Sequence, residues 1–124
     1  MTKIIEGNLI LEKDEVIKED LIVKGDIFGK GGRRFNLIIK GNLNCWDLKC
    51  RDLNCWNLNC WNLDCGNLSC CDLNARNISY YAVCFAYNNI ECETIKGRRK
   101  NCKHFVLDGK IIINGKEQKQ EEKE

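Results

Sequence analysis

From Leu43 onward the chain repeats one pattern of apolar and polar positions every five residues. Its phrases are LNCWD, LKCRD, LNCWN, LNCWN, LDCGN, LSCCD and LNARN, followed by a looser ISYYA. Leucine or isoleucine stands at 43, 48, 53, 58, 63, 68, 73 and 78, and cysteine at 45, 50, 55, 60, 65 and 70, with Ala75 in the next place. Asp or Asn fills 47, 52, 57, 62, 67, 72 and 77. A helix with this period would wind its apolar stripe around all sides, so no face would stay buried. A long strand would send successive leucines to opposite faces. A chain that turns a corner once per repeat satisfies the pattern. Leu and Cys, two apart, then share one side of a short extended segment, and Asp or Asn supplies the corner through local hydrogen bonds and tolerance of left-handed backbone. Stacked coils of this kind form a β-solenoid.

The position after cysteine holds Trp46, Arg51, Trp56, Trp61, Gly66, Cys71 and Arg76, a range of size and charge that no packed interior accepts. This column is predicted to face solvent, and the Leu and Cys columns to face inward, where cysteine acts as a small hydrophobe.

The Asn/Asp-Leu pairs at 47–48, 52–53, 57–58, 62–63, 67–68 and 72–73 resemble the central dipeptide of the pentapeptide-repeat family. The resemblance covers about 43–82. It implies an all-β fold, a right-handed, four-sided parallel β-helix with four repeats per coil. Cys45 would then lie under Cys65, Cys50 under Cys70, Trp61 under Tyr81 and Trp56 under Arg76. The family's small residue sits two before the leucine, whereas cysteine here sits two after it. Either the two inward columns are exchanged or the coil has a different shape.

The flanks predict irregular end coils. LIVKGDI (21–27), LIIKGNL (37–43) and VLDGKII (106–112) each read as strand, glycine-containing turn, strand. Residues 1–42 are expected to form broad coils covering one end of the stack, 43–82 the regular solenoid, and 83–115 irregular coils with a closing strand or hairpin. Ile90, Cys92 and Ile95 regain the Leu-x-Cys phase. The tail 116–124 is polar and charged and is expected to be disordered.

Composition adds limits. The 124 residues fit one domain, with a formal charge of +2 too mild to define a partner. No apolar run approaches a membrane span, and Met1–Leu11 lacks a signal-peptide pattern, so the cytoplasm is the expected location. Ten cysteines would suggest disulfides in a secreted chain, but their strict period favours reduced core thiols. Cys71, in the outward column, is the expected exposed thiol, with Cys84 a second candidate.

No catalytic or cofactor motif is recognisable, which predicts a non-catalytic protein without a cofactor or metal. Two features predict binding. Lys30, Arg33 and Arg34 lie in one Gly-containing segment, and Lys96, Arg98, Arg99, Lys100 and Lys103 in another, as candidates for a polyanion. Trp46, Trp56 and Trp61, with Tyr80, Tyr81, Tyr87, Arg51 and Arg76, are candidates for a partner surface. The expected function is presentation of a rigid solenoid to a protein partner, as an inhibitor or protector of a nucleic-acid-processing enzyme. Direct nucleic-acid binding through 30–34 and 96–103 is the alternative, and a self-assembling structural protein or homodimer the third. Segment 43–79 carries four acids against three bases, so its body is not the acidic rod that mimicry of a DNA duplex requires.

Overall fold

The computed structural model describes residues 2–118. They form a β-solenoid of stacked parallel coils. The first coil holds β1 (Thr2–Glu6), β2 (Leu9–Leu11) and β3 (Glu15–Ile17), and the second β4 (Asp20–Lys24), β5 (Ile27–Gly29) and β6 (Leu37–Ile39). The third holds β7 (Leu43–Asn44), β8 (Asp47–Lys49) and β9 (Asp52–Asn54). The next two coils are the near-continuous extended traces β10 (Asn57–Cys70) and β11 (Asp72–Ala86). A sixth holds β12 (Ile90–Cys92), β13 (Thr94–Gly97) and β14 (Lys103–Val106). β15 (Ile111–Ile113) starts a seventh, and β16 (Lys116–Gln118) folds back antiparallel on it. That hairpin turns at Asn114 and Gly115, both at positive φ (53° and 79°), the pairing a two-residue turn between twisted strands requires.

The register fixes the cross-section. Leu43 pairs with Leu58 and Leu58 with Leu73, so the regular coil is fifteen residues long, three repeats and not four. The expected four-sided coil is therefore corrected to three strands per coil, and the expected column neighbours change with it. Cys45 stacks under Cys60, Cys50 under Cys65 and Cys55 under Cys70. A five-residue repeat specifies one strand and one corner, and the corner angle sets how many close a coil. Here Leu and Cys both point inward from every strand, and three such pairs already fill one layer. We call the three columns of strands face A (β1, β4, β7, the first thirds of β10 and β11, β12, β15), face B (β2, β5, β8, the middle thirds, β13) and face C (β3, β6, β9, the last thirds, β14).

The inward columns are as the repeat predicts: Leu43 to Leu73, Cys45 to Cys70 and Ala75 are all buried. Two expectations fail. Tyr80 is almost fully buried, because it occupies the cysteine place opposite Cys65, and its hydroxyl meets His104 Nδ1 at 2.8 Å. Cys84 is buried because a one-residue shift after Cys65 places it opposite Leu68.

The Asp/Asn column also works differently from the local-turn reading. These side chains bond between coils and not within a turn. Asn62 Nδ2 donates to Asp47 Oδ1 and Asn77 Nδ2 to Asn62 Oδ1, and Thr94 Oγ1 closes that ladder on Asn77. Elsewhere a backbone N–H donates to the carboxylate or amide below, as Asn42 does to Asp20, Asn57 to Asn42 and Asn89 to Asp72. No Asp or Asn in the repeats has positive φ.

The first coils are broader than the regular fifteen-residue ones. β1 and β4 are eighteen residues apart in register and β6 and β3 twenty-two, with the extra residues in corner loops. The expected disorder of 116–124 is corrected for Lys116–Gln118, which form β16, while 119–124 lie outside the described residues. Among the described residues no helix is long and apolar enough to cross a membrane.

All ten cysteines are free thiols, and only Cys71 and Cys102 escape burial. Burial pushes Cys55 and Cys84 up to about 12 and Cys92 to about 11, and raises Cys50, Cys65 and Cys70 as well. At pH 8 a thiol with a pKa near 12 is about one part in ten thousand thiolate, the reactive form. Iodoacetamide applied to the folded protein is expected to label Cys71 and Cys102 and leave the other eight until denaturant is added. Mass mapping that finds Cys55 or Cys60 labelled as fast as Cys71 would refute the inward assignment.

Candidate binding face

The two basic segments are the corner loops between faces B and C on the second and sixth coils. The first follows β5 and the second follows β13, so both leave the solenoid at the same corner, on opposite sides of the fourth coil. Each reaches across the intervening coil, about 9–10 Å of stack, and they meet at Asp64 on face B. Arg34 Nη1 and Nη2 donate to Asp64 Oδ1 and Oδ2 at 3.1 and 3.0 Å, and Arg98 Nη2 lies 2.7 Å from Oδ1. Arg34 also donates to the carbonyls of Cys50 and Asp64, and Arg98 to that of Cys65. The hydrogen bond to Asp64 raises the Arg34 pKa further, against the opposing effect of burial. Gly66 occupies the corner beside Asp64. A Cβ there would stand 2.7 Å from the Arg51 carbonyl oxygen, so the absence of a side chain keeps this corner low between the two loops.

The other candidates divide among the three corners. At the A–B corner Trp46 and Trp61 stack in parallel at 5.3 Å, with Arg76 over Trp61 at 5.6 Å and Glu93 3.5 Å from the Arg76 Nε. At the B–C corner Tyr81 packs beneath Arg98 and Arg99, whose guanidinium carbons lie 6.0 and 5.4 Å from its ring. Arg51 stands at that same corner, where Gly66 N–H donates to its carbonyl. Trp56 is at the third corner, C–A, with Cys71 and Tyr87, and does not join the other tryptophans. The three tryptophans grouped as candidates for a partner surface are thus divided, and the expected stacking of Trp61 under Tyr81 and Trp56 under Arg76 is corrected: the fifteen-residue coil brings positions 46 and 61 together and sends 56 a third of a turn away.

Face B is consequently framed by Trp46, Trp61 and Arg76 on one side and the basic loops on the other, with Lys49, Asp64, Ser79 and Lys96 along its shallow middle. The residues of this face and its two corners (26–34, 46–51, 61–66, 76–81 and 93–103) include eleven Lys or Arg against four Asp or Glu. The rest of the chain carries nine against fourteen, so a formal charge of only +2 conceals a strongly segregated surface. Arg33, Lys49, Arg51, Lys96 and Lys100 have no ion pair among the described residues, while Lys30 pairs with Glu12 at 3.6 Å. Lys103 starts β14 at the far end of the second loop.

Asp64 was not singled out from sequence, although a signal exists. Among the positions that follow the leucines, 44 to 79, it is the single acid in a run of Asn, Ser and one Lys. Comparison of the chain with known protein families, with curated proteins and with solved structures finds no match, so the geometry of this face carries the functional reading.

Proposed function

We propose that this is a non-catalytic binding protein that receives a nucleic acid on face B. The observation that carries the reading is the convergence of two basic loops, remote in sequence, on Asp64 at one corner. Ion pairing to Asp64 fixes Arg34 and Arg98 and holds the loops in place. Arg33, Arg51, Arg99 and Lys100 remain around them to meet phosphates, with Lys49 and Lys96 along the face. Exposed aromatic side chains beside cationic ones are what base stacking and phosphate neutralisation require. The five-residue period supports kinship with the pentapeptide-repeat family, with a three-strand coil in place of the four-sided one.

The test is an equilibrium titration of labelled single-stranded and duplex oligonucleotides at several salt concentrations. Binding should weaken linearly on a log–log plot, with a slope of at least about −3, equivalent to roughly four neutralised phosphates. No binding at low salt, or binding indifferent to salt, would sink the reading.

A second reading, a protein partner such as a nucleic-acid-processing enzyme, draws on the Trp46–Trp61 stack. Both rings are about half exposed, and paired exposed aromatics are typical anchors of protein interfaces. Retention of a protein from an extract that survives nuclease and is lost in W46A/W61A would favour it.

A further inference from the structure

The two ends of the solenoid are closed differently. At the C-terminal end β16 crosses back over face A and covers the edge of β15 with the exposed, polar Lys116–Gln118, while β13 and β14 on the other two faces have no outer neighbour among the described residues. At the N-terminal end, among the described residues, nothing pairs with the outer edges of β1, β2 and β3. Each of these strands has one neighbour, in the second coil, and a row of free N–H and C=O groups on its other side.

The residues of this open coil differ from those of the second coil at two inward places. Inward places that hold Leu21 and Leu37 in the second coil hold Lys3 and Glu15 in the first. Beside them lie Ile5, Leu9 and Ile17, packed on the core yet only half buried. Outward places that hold Asn, Ser, Asp or Lys in the third and fourth coils hold Ile4, Ile10 and Val16, each about half exposed, which continue the apolar columns of Ile22, Phe28 and Ile38 in the second coil to the end of the stack. Apolar side chains in all three outward places suit a coil that is itself covered, and opposite charges in two inward ones give what covers it a preferred orientation.

From these features we infer that the N-terminal coil is a docking surface for a second copy of this chain, placed head to head about a twofold axis. A second copy can approach in three such ways, the axis passing through the middle of face A, B or C. Each pairs the strand on the axis with itself, antiparallel, and exchanges the other two. An axis through face A sets β1 on the partner's β1 and brings Lys3 near the partner's Lys3. An axis through face C does the same for Glu15. Only the axis through face B exchanges β1 with β3, so that Lys3 faces the strand carrying the partner's Glu15, and Glu15 the strand carrying the partner's Lys3. These are diagonal neighbours, about 7–8 Å between backbones, a separation that long side chains bridge. The same arrangement pairs Ile10 with the partner's Ile10 and Ile4 with the partner's Val16, which continues the three apolar columns across the contact. Because the contact is isologous it closes at two copies and leaves both C-terminal ends outside.

The test is sedimentation equilibrium on the full chain, comparing wild type with K3E, E15K and the double variant K3E/E15K. Wild type should be a dimer of the 14.4 kDa chain. Either single reversal sets like charges against each other twice and should raise the dissociation constant at least about tenfold. The double variant reverses both pairs and should regain a constant within about threefold of wild type. Circular dichroism of each variant checks that the solenoid is intact, since the substituted side chains are not in the buried core. A monomeric wild type, open-ended polymers, single variants as tight as wild type, or a double variant no tighter than the singles would each overturn the inference.

Discussion

Replacing Arg33, Arg34, Arg98 and Arg99 with glutamine together is expected to abolish nucleic-acid binding while leaving the solenoid folded. At low salt the affinity should fall by at least about a hundredfold, and the salt slope for a single strand should become shallower by about 1.4, since Arg33 and Arg99 each lose a phosphate contact while Arg34 and Arg98 no longer hold the loops on Asp64. The four side chains are at least one-third exposed or lie in corner loops, and no core residue changes. Asp64 would lose its partners, but its carboxylate is partly open to water, so the cost to folding should not exceed about 1 kcal/mol. The control is K13Q/K18Q/K40Q, which removes three lysines exposed elsewhere on the surface and should change the affinity little. Fluorescence anisotropy on both variants checks the pair of expectations. Binding that persists in the arginine variant, or falls equally in the lysine variant, would mean that nonspecific charge and not the shared corner holds the ligand.

The second large effect lies in the core. Leu63 is at the centre of the stack, only 2% exposed, in register between Leu48 and Ile78. Leu63→Ala should destabilise the protein by about 2–5 kcal/mol, the range for leucine truncation in packed cores. Set against a usual total stability of about 5–15 kcal/mol, that loss is severe. Cys60→Ala is the instructive comparison, because the next coil carries Ala75 in the same column. Its cost should be nearer 1 kcal/mol. Urea denaturation of the two variants separates these outcomes. Equal midpoints would show that the leucine column is not the main source of packing.

How much of this was legible in the sequence follows from what a repeat encodes. A period of five with apolar residues at its first and third places determines which side chains face inward, and the burial of Leu43 to Leu73 and Cys45 to Cys70 follows from it. The same period is silent on the number of repeats per coil, because four strands or three bring every leucine inside equally well. That single unknown misplaced Trp56 relative to Trp46 and Trp61, and it hid the meeting of Arg34 with Arg98, whose loops share a corner only when coils are counted. Tyr80 stands among aromatic residues that suggest surface binding, yet Ile78-Ser79-Tyr80 keeps the Leu-x-Cys phase and puts the ring in the inward column. The closing hairpin had its own signal in Asn114-Gly115, a dipeptide suited to a tight turn, which the charged residues after it obscured.

The fifteen-residue coil also means that the distance between two features and the direction in which they point are written in different units. Fifteen residues added between 56 and 57 would carry the Arg98 loop one coil further from the Arg34 loop, about 4.8 Å, and keep both on the same corner. Five residues added at the same place would turn everything beyond them by a third of a revolution, and the two loops would face different ways with almost no change in length. An interface on such a chain can therefore be lengthened in whole coils while its loops keep one corner, at the cost of the Arg34–Asp64 contact, whereas a single extra repeat dismantles it.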